Sequence, residues 1–327
     1  MKIFITGGTG FIGTVLVRRL QQTPHELRCL ARPTSAVATL QALGATIVRG
    51  DVTDRQSCLN GMRGCDWVVN LANLFEFWFP DRQEYDAVNV AGTRNVMEAA
   101  IEAGAAKVVH VSTLVAYGDA EWPITEMTAM GDRVPGDYAR TKRAGEQLAR
   151  ELWAKQGLPL VIISPGAVMG AGDPKAAGRY VRNLALGKMP ARILTTSPFP
   201  FVHVRDVAEA IVRALEKPNN IGEKYLVVGE NLTFGEINRM ISEISGVKLP
   251  RLTLPDPVAL VGAYLATGLA NLLKRPPMLD MSVEQIRMMK RGFRVDASKA
   301  TRDLGLSYTP IRTALEESLA HLRVGGA

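Results

Sequence analysis

The chain starts with a short β-rich run, Lys2-Ile3-Phe4-Ile5. It passes directly into Thr6-Gly7-Gly8-Thr9-Gly10-Phe11-Ile12-Gly13. Apolar residues at 12, 15, 16 and 20 then repeat at helical spacing. A strand, a glycine cluster and a helix in that order leave few folds open. Gly7 permits a tight turn, Gly10 lets the backbone approach a pyrophosphate, and Gly13 lets the helix pack closely on the sheet. The free N–H groups at the helix start then face the phosphates. Thr9, Phe11 and Ile12 belong to the same cradle. This predicts a dinucleotide site, although the spacing is GxxGxxG rather than the GxGxxG of ordinary dehydrogenases.

Similar short apolar runs recur at 26–30, 46–48, 66–70, 107–111 and 158–163, with helical windows near 84–103 and 136–156. Such strands alternating with helices predict a parallel sheet covered on both faces. The expected fold is α/β, a doubly wound parallel Rossmann sheet with a smaller, mostly helical C-terminal cap. The division is a dinucleotide-binding core at 1–165. Residues 166–327 follow, with the last strands of the sheet at about 201–228 interleaved with a substrate-side cap. The 327 residues are 47% hydrophobic and 22% charged, which excludes disorder and supplies a full core. The net charge of +7 comes from scattered basic residues. Neither zinc-finger spacing nor an aromatic-basic run is present, so a nucleic-acid partner is not expected.

The tip of the second strand, Leu27-Arg28-Cys29-Leu30-Ala31-Arg32, carries no carboxylate. An acidic residue there would bond the ribose 2′-OH of NAD and repel a 2′-phosphate. Arg32 can instead pair with that phosphate, so NADP is expected in preference to NAD. After the third strand, Asp51 is placed to accept from the adenine amino group, with helix N-capping as its alternative role. Val52 is expected beside it.

Tyr138 and Lys142 stand four apart on a helix and therefore share a face. An ammonium beside a phenol favours phenolate, which would make Tyr138 a usable general acid or base. Ser112 and Thr113, at the C-terminal end of the fifth strand, each place a hydroxyl where such sheets bind ligands.

These motifs, with GDVTD at 50–54, NVAGTRNVMEAA at 89–100, VSTLVAYG at 111–118 and FVHVRDVAEA at 201–210, make the chain resemble an extended short-chain dehydrogenase/reductase. RPTS at 32–35, SPGAVMGAGD at 164–173 and GEKYLVVGENLTFGEI at 222–237 are similar to the dihydroflavonol-4-reductase-like and 3β-hydroxysteroid-dehydrogenase-like branch of the epimerase/dehydratase family. The resemblance implies that Thr113 is the active hydroxyl, with Ser112 as runner-up. It makes Tyr138 the proton donor or acceptor and gives Lys142 a bond to the nicotinamide ribose. Asn89 matches a residue whose backbone supports a proton-relay water, with helix N-capping as its alternative. Pro165, Gly166 and Val168 match a stretch lying along the nicotinamide, and Ala72 is grouped with them. The implied activity is NADP-dependent reduction of a carbonyl, or the reverse oxidation of a secondary alcohol. A nucleotide-sugar epimerase or dehydratase with tightly held NAD is the alternative. Ser164-Pro165-Gly166-Ala167-Val168-Met169-Gly170 lacks the arginine and tyrosine usual in sugar-nucleotide enzymes, which disfavours that alternative. The resemblance also allows either a monomer or a homodimer through 84–103 and 136–156.

The run Leu74-Phe75-Glu76-Phe77-Trp78-Phe79-Pro80 is strongly aromatic. Asn73, Phe77, Trp78, Met169 and Tyr180 are the expected substrate-pocket residues. They point to an apolar, ring-containing or lipid-like small molecule. Residues 258–273 carry no charge, and Lys274, Arg275, Arg287, Lys290, Arg291 and Arg294 follow. That stretch is read as a buried cap helix, with weak contact of 258–294 with a membrane surface as the second reading. The histidines show no metal spacing. Three cysteines without a CxxC pair, and no signal-peptide pattern at the N-terminus, give a cytoplasmic expectation.

Overall fold

The computed structural model describes residues 1–324. The strands are β1 (Lys2–Thr6), β2 (Glu26–Ala31), β3 (Thr46–Arg49), β4 (Trp67–Asn70), β5 (Lys107–Val111), β6 (Leu160–Pro165), β7 (Ala167–Met169), β8 (Pro198–His203), β9 (Lys224–Val227) and β10 (Glu230–Thr233). Helices α1 (Phe11–Leu20), α2 (Ala38–Ala42), α3 (Arg55–Met62), α4 (Gln83–Asp86), α5 (Gly92–Glu102) and α6 (Asp137–Gln156) belong to the N-terminal half. They are followed by α7 (Ala176–Ala185), α8 (Val204–Glu216), α9 (Phe234–Ser245), α10 (Asp256–Leu273), α11 (Val283–Arg291), α12 (Ser298–Leu304) and α13 (Ile311–Val324).

Seven strands form one parallel sheet in the order β3-β2-β1-β4-β5-β6-β9. The order reverses between β1 and β4. Crossovers on either side of that point run in opposite directions, which opens a crevice at the carboxyl ends of the strands. Ile3, Phe4, Ile5, Val68, Val69, Val108 and Val109 are fully buried, as expected for strands covered on both faces. Helices α1 and α8 close one face, and α3, α5 and α6 close the other.

Of the segment 201–228 expected to supply the last strands, only β9 joins this sheet, beside β6. Phe201–His203 lies instead in β8, the centre of a small second sheet ordered β10-β8-β7. There β10 is antiparallel and β7 parallel to β8. Gly166 lets the chain leave β6 for this second sheet: a Cβ there would stand 2.5 Å from the Pro200 carbonyl oxygen. The small sheet and α7, α9, α10, α11 and α13 form the cap, with its own apolar core against the aromatic run.

The window near 84–103 is not one regular helix. Ala87–Ala91 between α4 and α5 is a π-helical turn. Asn89 lies inside it, so the N-cap role is excluded.

Candidate active site

The glycine loop folds because its close contacts admit no side chains. Gly7 has φ +70°, and a Cβ on it would meet the Leu71 carbonyl carbon at 2.7 Å. A Cβ on Gly13 would stand 2.2 Å from the Gly7 carbonyl oxygen. Gly13 thus packs the helix start against its own loop rather than against the sheet. The α1 N-cap is Gly10, with no side chain bonding the free N–H groups of the first turn. These features fit a bound pyrophosphate: exposed donors, a positive helix end and no competing carboxylate.

This loop opens into a continuous cavity of about 630 Å³ that runs along the strand ends and under the cap. Gly7, Thr9, Gly10, Phe11, Ile12 and Gly13 line one end, together with Arg32, Asp51 and Val52. Ala72, Asn73, Pro165, Gly166 and Val168 line the middle, with Ser112, Thr113 and Tyr138. Phe77, Met169 and Tyr180 lie toward the cap, as do Phe199, Phe201 and Met288. Arg32 is exposed, and its carbonyl is braced by Arg49 Nη1 at 2.9 Å. Ser35, in the same turn, also lines the cavity. Asp51 accepts from both the N–H and the hydroxyl of Thr53 at 2.9 Å. The N-cap of α3 is Asp54, which corrects that alternative for Asp51.

Tyr138 is buried in the first turn of α6. Its ring packs on Phe75 at 4.9 Å and edge-on to Phe77 at 5.7 Å. Burial pushes the phenol above its ordinary range, a hydrogen bond with Thr113 pulls it partway back, and the Glu284 carboxylate raises it further. Lys142 Nζ donates to the Val111 carbonyl at 2.7 Å, behind the cavity wall. Burial lowers this ammonium to about 8, against the pull of Glu146. The expectation that Lys142 holds the phenol pKa down is therefore corrected. Its charge is engaged by a strand-end carbonyl, and burial dominates Tyr138. The two candidate hydroxyls separate: Thr113 lies beside Tyr138 and its Oγ1 accepts from the Val115 N–H at 3.4 Å, whereas the Ser112 hydroxyl is buried on the Glu146 side.

Three expected residues do not line the cavity: Lys142, Asn89 and Trp78. The Asn89 carbonyl accepts from the Thr93 hydroxyl at 2.8 Å. Its side chain accepts from Leu74 N–H at 2.7 Å and donates to Thr141 Oγ1 at 3.0 Å. It clamps the start of the aromatic run to α6. Trp78 turns outward and donates to Asn271 Oδ1 of α10 at 2.8 Å, while Phe75 and Phe79 take the inward positions. Trp122 also lies outside, stacked under Arg291. The aromatic run has further ties. Glu76 pairs with Lys175 at 2.6 Å and Arg179 at 2.9 Å, and the Phe77 carbonyl accepts from Ser282 at 2.7 Å. Core and cap thus hold this wall from both sides.

Glu284 was missed. It reaches from α11 to the start of α6, where its carboxyl accepts from the N–H groups of Asp137 at 3.1 Å and Tyr138 at 3.2 Å. The only signal in the sequence is Gly136, whose missing side chain makes the room.

A doubly wound sheet, a phosphate-ready glycine loop and a Tyr–Thr pair at the strand ends define an enzyme that binds a nicotinamide dinucleotide and acts on a CH–OH group. The family model described as the NAD dependent epimerase/dehydratase family matches residues 3–229, and the chain belongs to that family, among its extended short-chain dehydrogenase/reductase members. It is 34% identical to sterol demethylase protein B of Methylococcus capsulatus, covering 100% of this chain and 99% of that protein. It is 31% identical to a putative dihydroflavonol 4-reductase of Synechocystis, covering 97% and 93%. The crystal structure of gox2253 superposes with a TM-score of 0.83 at 32% identity, over 99% of this chain and 98% of that one.

Proposed function

We propose that this protein is an NADP-dependent oxidoreductase that reduces a carbonyl, or oxidises the matching secondary alcohol, on an apolar ring-containing or lipid-like molecule. The observation that carries the reading is buried Tyr138 beside half-buried Thr113, at the junction of the glycine-loop end and the aromatic end of one cavity. When bound, the dinucleotide supplies or takes up the hydride. The phenol keeps its proton at neutral pH because burial raises it, so Tyr138 is ready to protonate the developing alkoxide. The Thr113 hydroxyl bonds the same oxygen and shares its charge. Lys142, fixed on the Val111 carbonyl, places a positive charge behind the site. Phe75, Phe77, Phe199, Phe201, Met169 and Met288 exclude water and favour a ring or alkyl chain over a sugar nucleotide. The similarity to a sterol-processing protein supports the same substrate class.

Arg32 at the cavity rim and the neutral tip of β2 support NADP. Titration of the wild type and Arg32→Ala with NADPH and NADH, followed by tryptophan quenching, tests this. Preferential NADPH binding that collapses in the variant is expected. Tight NAD that survives purification, or no effect of the substitution, would favour the epimerase reading.

A further inference from the structure

Helix α10 faces the protein with the wrong side for a soluble helix. Ala259, Ala263 and Ala270 are its buried residues. Val258, Val261, Tyr264, Leu265, Leu269 and Leu272 are exposed, Leu265 at 72% and Leu272 at 78%. They follow helical spacing and form one stripe. The expectation of a buried cap helix is thereby corrected: small side chains make the seam to α11, and the large ones point outward. Among the described residues of 251–294 the exposed charged side chains are all basic: Arg251, Lys274, Arg275, Arg287, Lys290 and Arg294, while Asp256 is half-buried and Glu284 buried. Arg287 stacks on Tyr264 at 5.1 Å, which brings a guanidinium onto the apolar stripe itself.

We propose that α10 docks this protein on the surface of an anionic lipid bilayer, lying in the interface plane. An apolar stripe flanked by cations matches acyl boundary and headgroup together. A second copy is the poorer occupant, because a twofold contact sets the patch against itself and faces cations with cations. By length and composition α10 would suit a membrane span, but its ties to the folded body argue for lying on the surface instead. Thr267 and Asn271 are bonded to Val283 and Trp78 of the folded body. The Trp78 bond joins the docking helix directly to the aromatic wall of the cavity. Docking therefore sets the apolar end of the site beside the membrane, where a lipid-like substrate resides; this consequence rests on the proposed activity, but the docking does not.

Co-sedimentation of the full chain with vesicles, without substrate or cofactor, tests docking independently of catalysis. The vesicles are phosphatidylcholine alone or mixed with phosphatidylglycerol. The wild type should bind the anionic vesicles and release at high salt. Each cation near the surface is worth about a fivefold change in partition, so reversing two in Lys274→Glu/Arg275→Glu should weaken binding by roughly 25-fold or more. Leu265→Asp/Leu269→Asp should abolish binding while keeping the wild-type circular dichroism and melting temperature. Absence of wild-type binding, or equal binding by both variants, would overturn the proposal. So would a wild-type dimer that Leu265→Asp/Leu269→Asp converts to monomer.

Discussion

Replacing Glu284 by glutamine removes a titrating carboxyl from the contact between cap and catalytic helix. A Cβ on Gly136 would lie 2.1 Å from the carboxyl carbon, so the carboxyl occupies the space that glycine leaves. Burial, then the nearby Asp137 carboxylate, push this carboxyl from 4.5 to about 8, against the N–H groups of α6 that favour its charge. The folded protein then holds a proton that the unfolded chain has released at neutral pH. Stability from this group is fully present below about 4.5 and is lost as pH rises through about 8. At about 1.36 kcal/mol per pH unit, the roughly two units between pH 6 and about 8 limit the loss in that window to roughly 2.7 kcal/mol, and local opening to water brings the expected change to about 2 kcal/mol. Urea denaturation at pH 6 and pH 9 measures it. Between these values the wild type should lose about 2 kcal/mol relative to Glu284→Gln, because the amide does not titrate. Gly136→Ala, which displaces the carboxyl, should also flatten the pH dependence. Parallel pH profiles for wild type and Glu284→Gln would refute the reasoning.

Tyr138→Phe keeps the ring contacts with Phe75 and Phe77 and removes the proton. It should lower kcat by about 10²- to 10⁴-fold while leaving the dissociation constant for dinucleotide unchanged in a fluorescence titration. Gly13→Ala places a Cβ 2.2 Å from the Gly7 carbonyl oxygen and should displace the loop, weakening dinucleotide binding more than tenfold by calorimetry. Glu146 pairs with Lys224 at 2.8 Å, both fully buried, and this cation, with Ser112 and Arg150, holds the carboxyl at about 2 against burial. Glu146→Gln should cost about 3–5 kcal/mol in urea denaturation, because it leaves Lys224 buried and unpaired. The apolar pair Glu146→Leu/Lys224→Met should recover most of that loss.

The six N-terminal strands were legible because each is a short apolar run that both faces of a parallel sheet bury. The glycine loop was legible because contacts such as Gly13 on Gly7 admit no other residue. The placement of β8 was not legible. Its partner β10, Glu230-Asn231-Leu232-Thr233, is largely polar and partly exposed, and carries no strand signal of its own. Two aspartates three apart, Asp51 and Asp54, look alike as helix caps, and only the folded chain shows Asp54 bonding the first turn. Lys142 and Tyr138 were placed on one face correctly, but the Val111 carbonyl that captures the ammonium comes from another strand. Trp78 and Phe77 are adjacent in a loop, where alternation does not tell which points inward. Glu284 lies 146 residues beyond Tyr138 and reaches it only through tertiary packing.

The most direct test is turnover stoichiometry. The purified protein is given NADPH deuterated at the transferable position and an apolar ring ketone. Product is analysed by mass spectrometry, with Tyr138→Phe in parallel. The account predicts one NADPH oxidised and one deuterium gained at the carbinol carbon per product, with turnover lost in the variant. Conversion of a nucleotide sugar with no net NADPH oxidation, or ketone reduction undiminished in Tyr138→Phe, would contradict it.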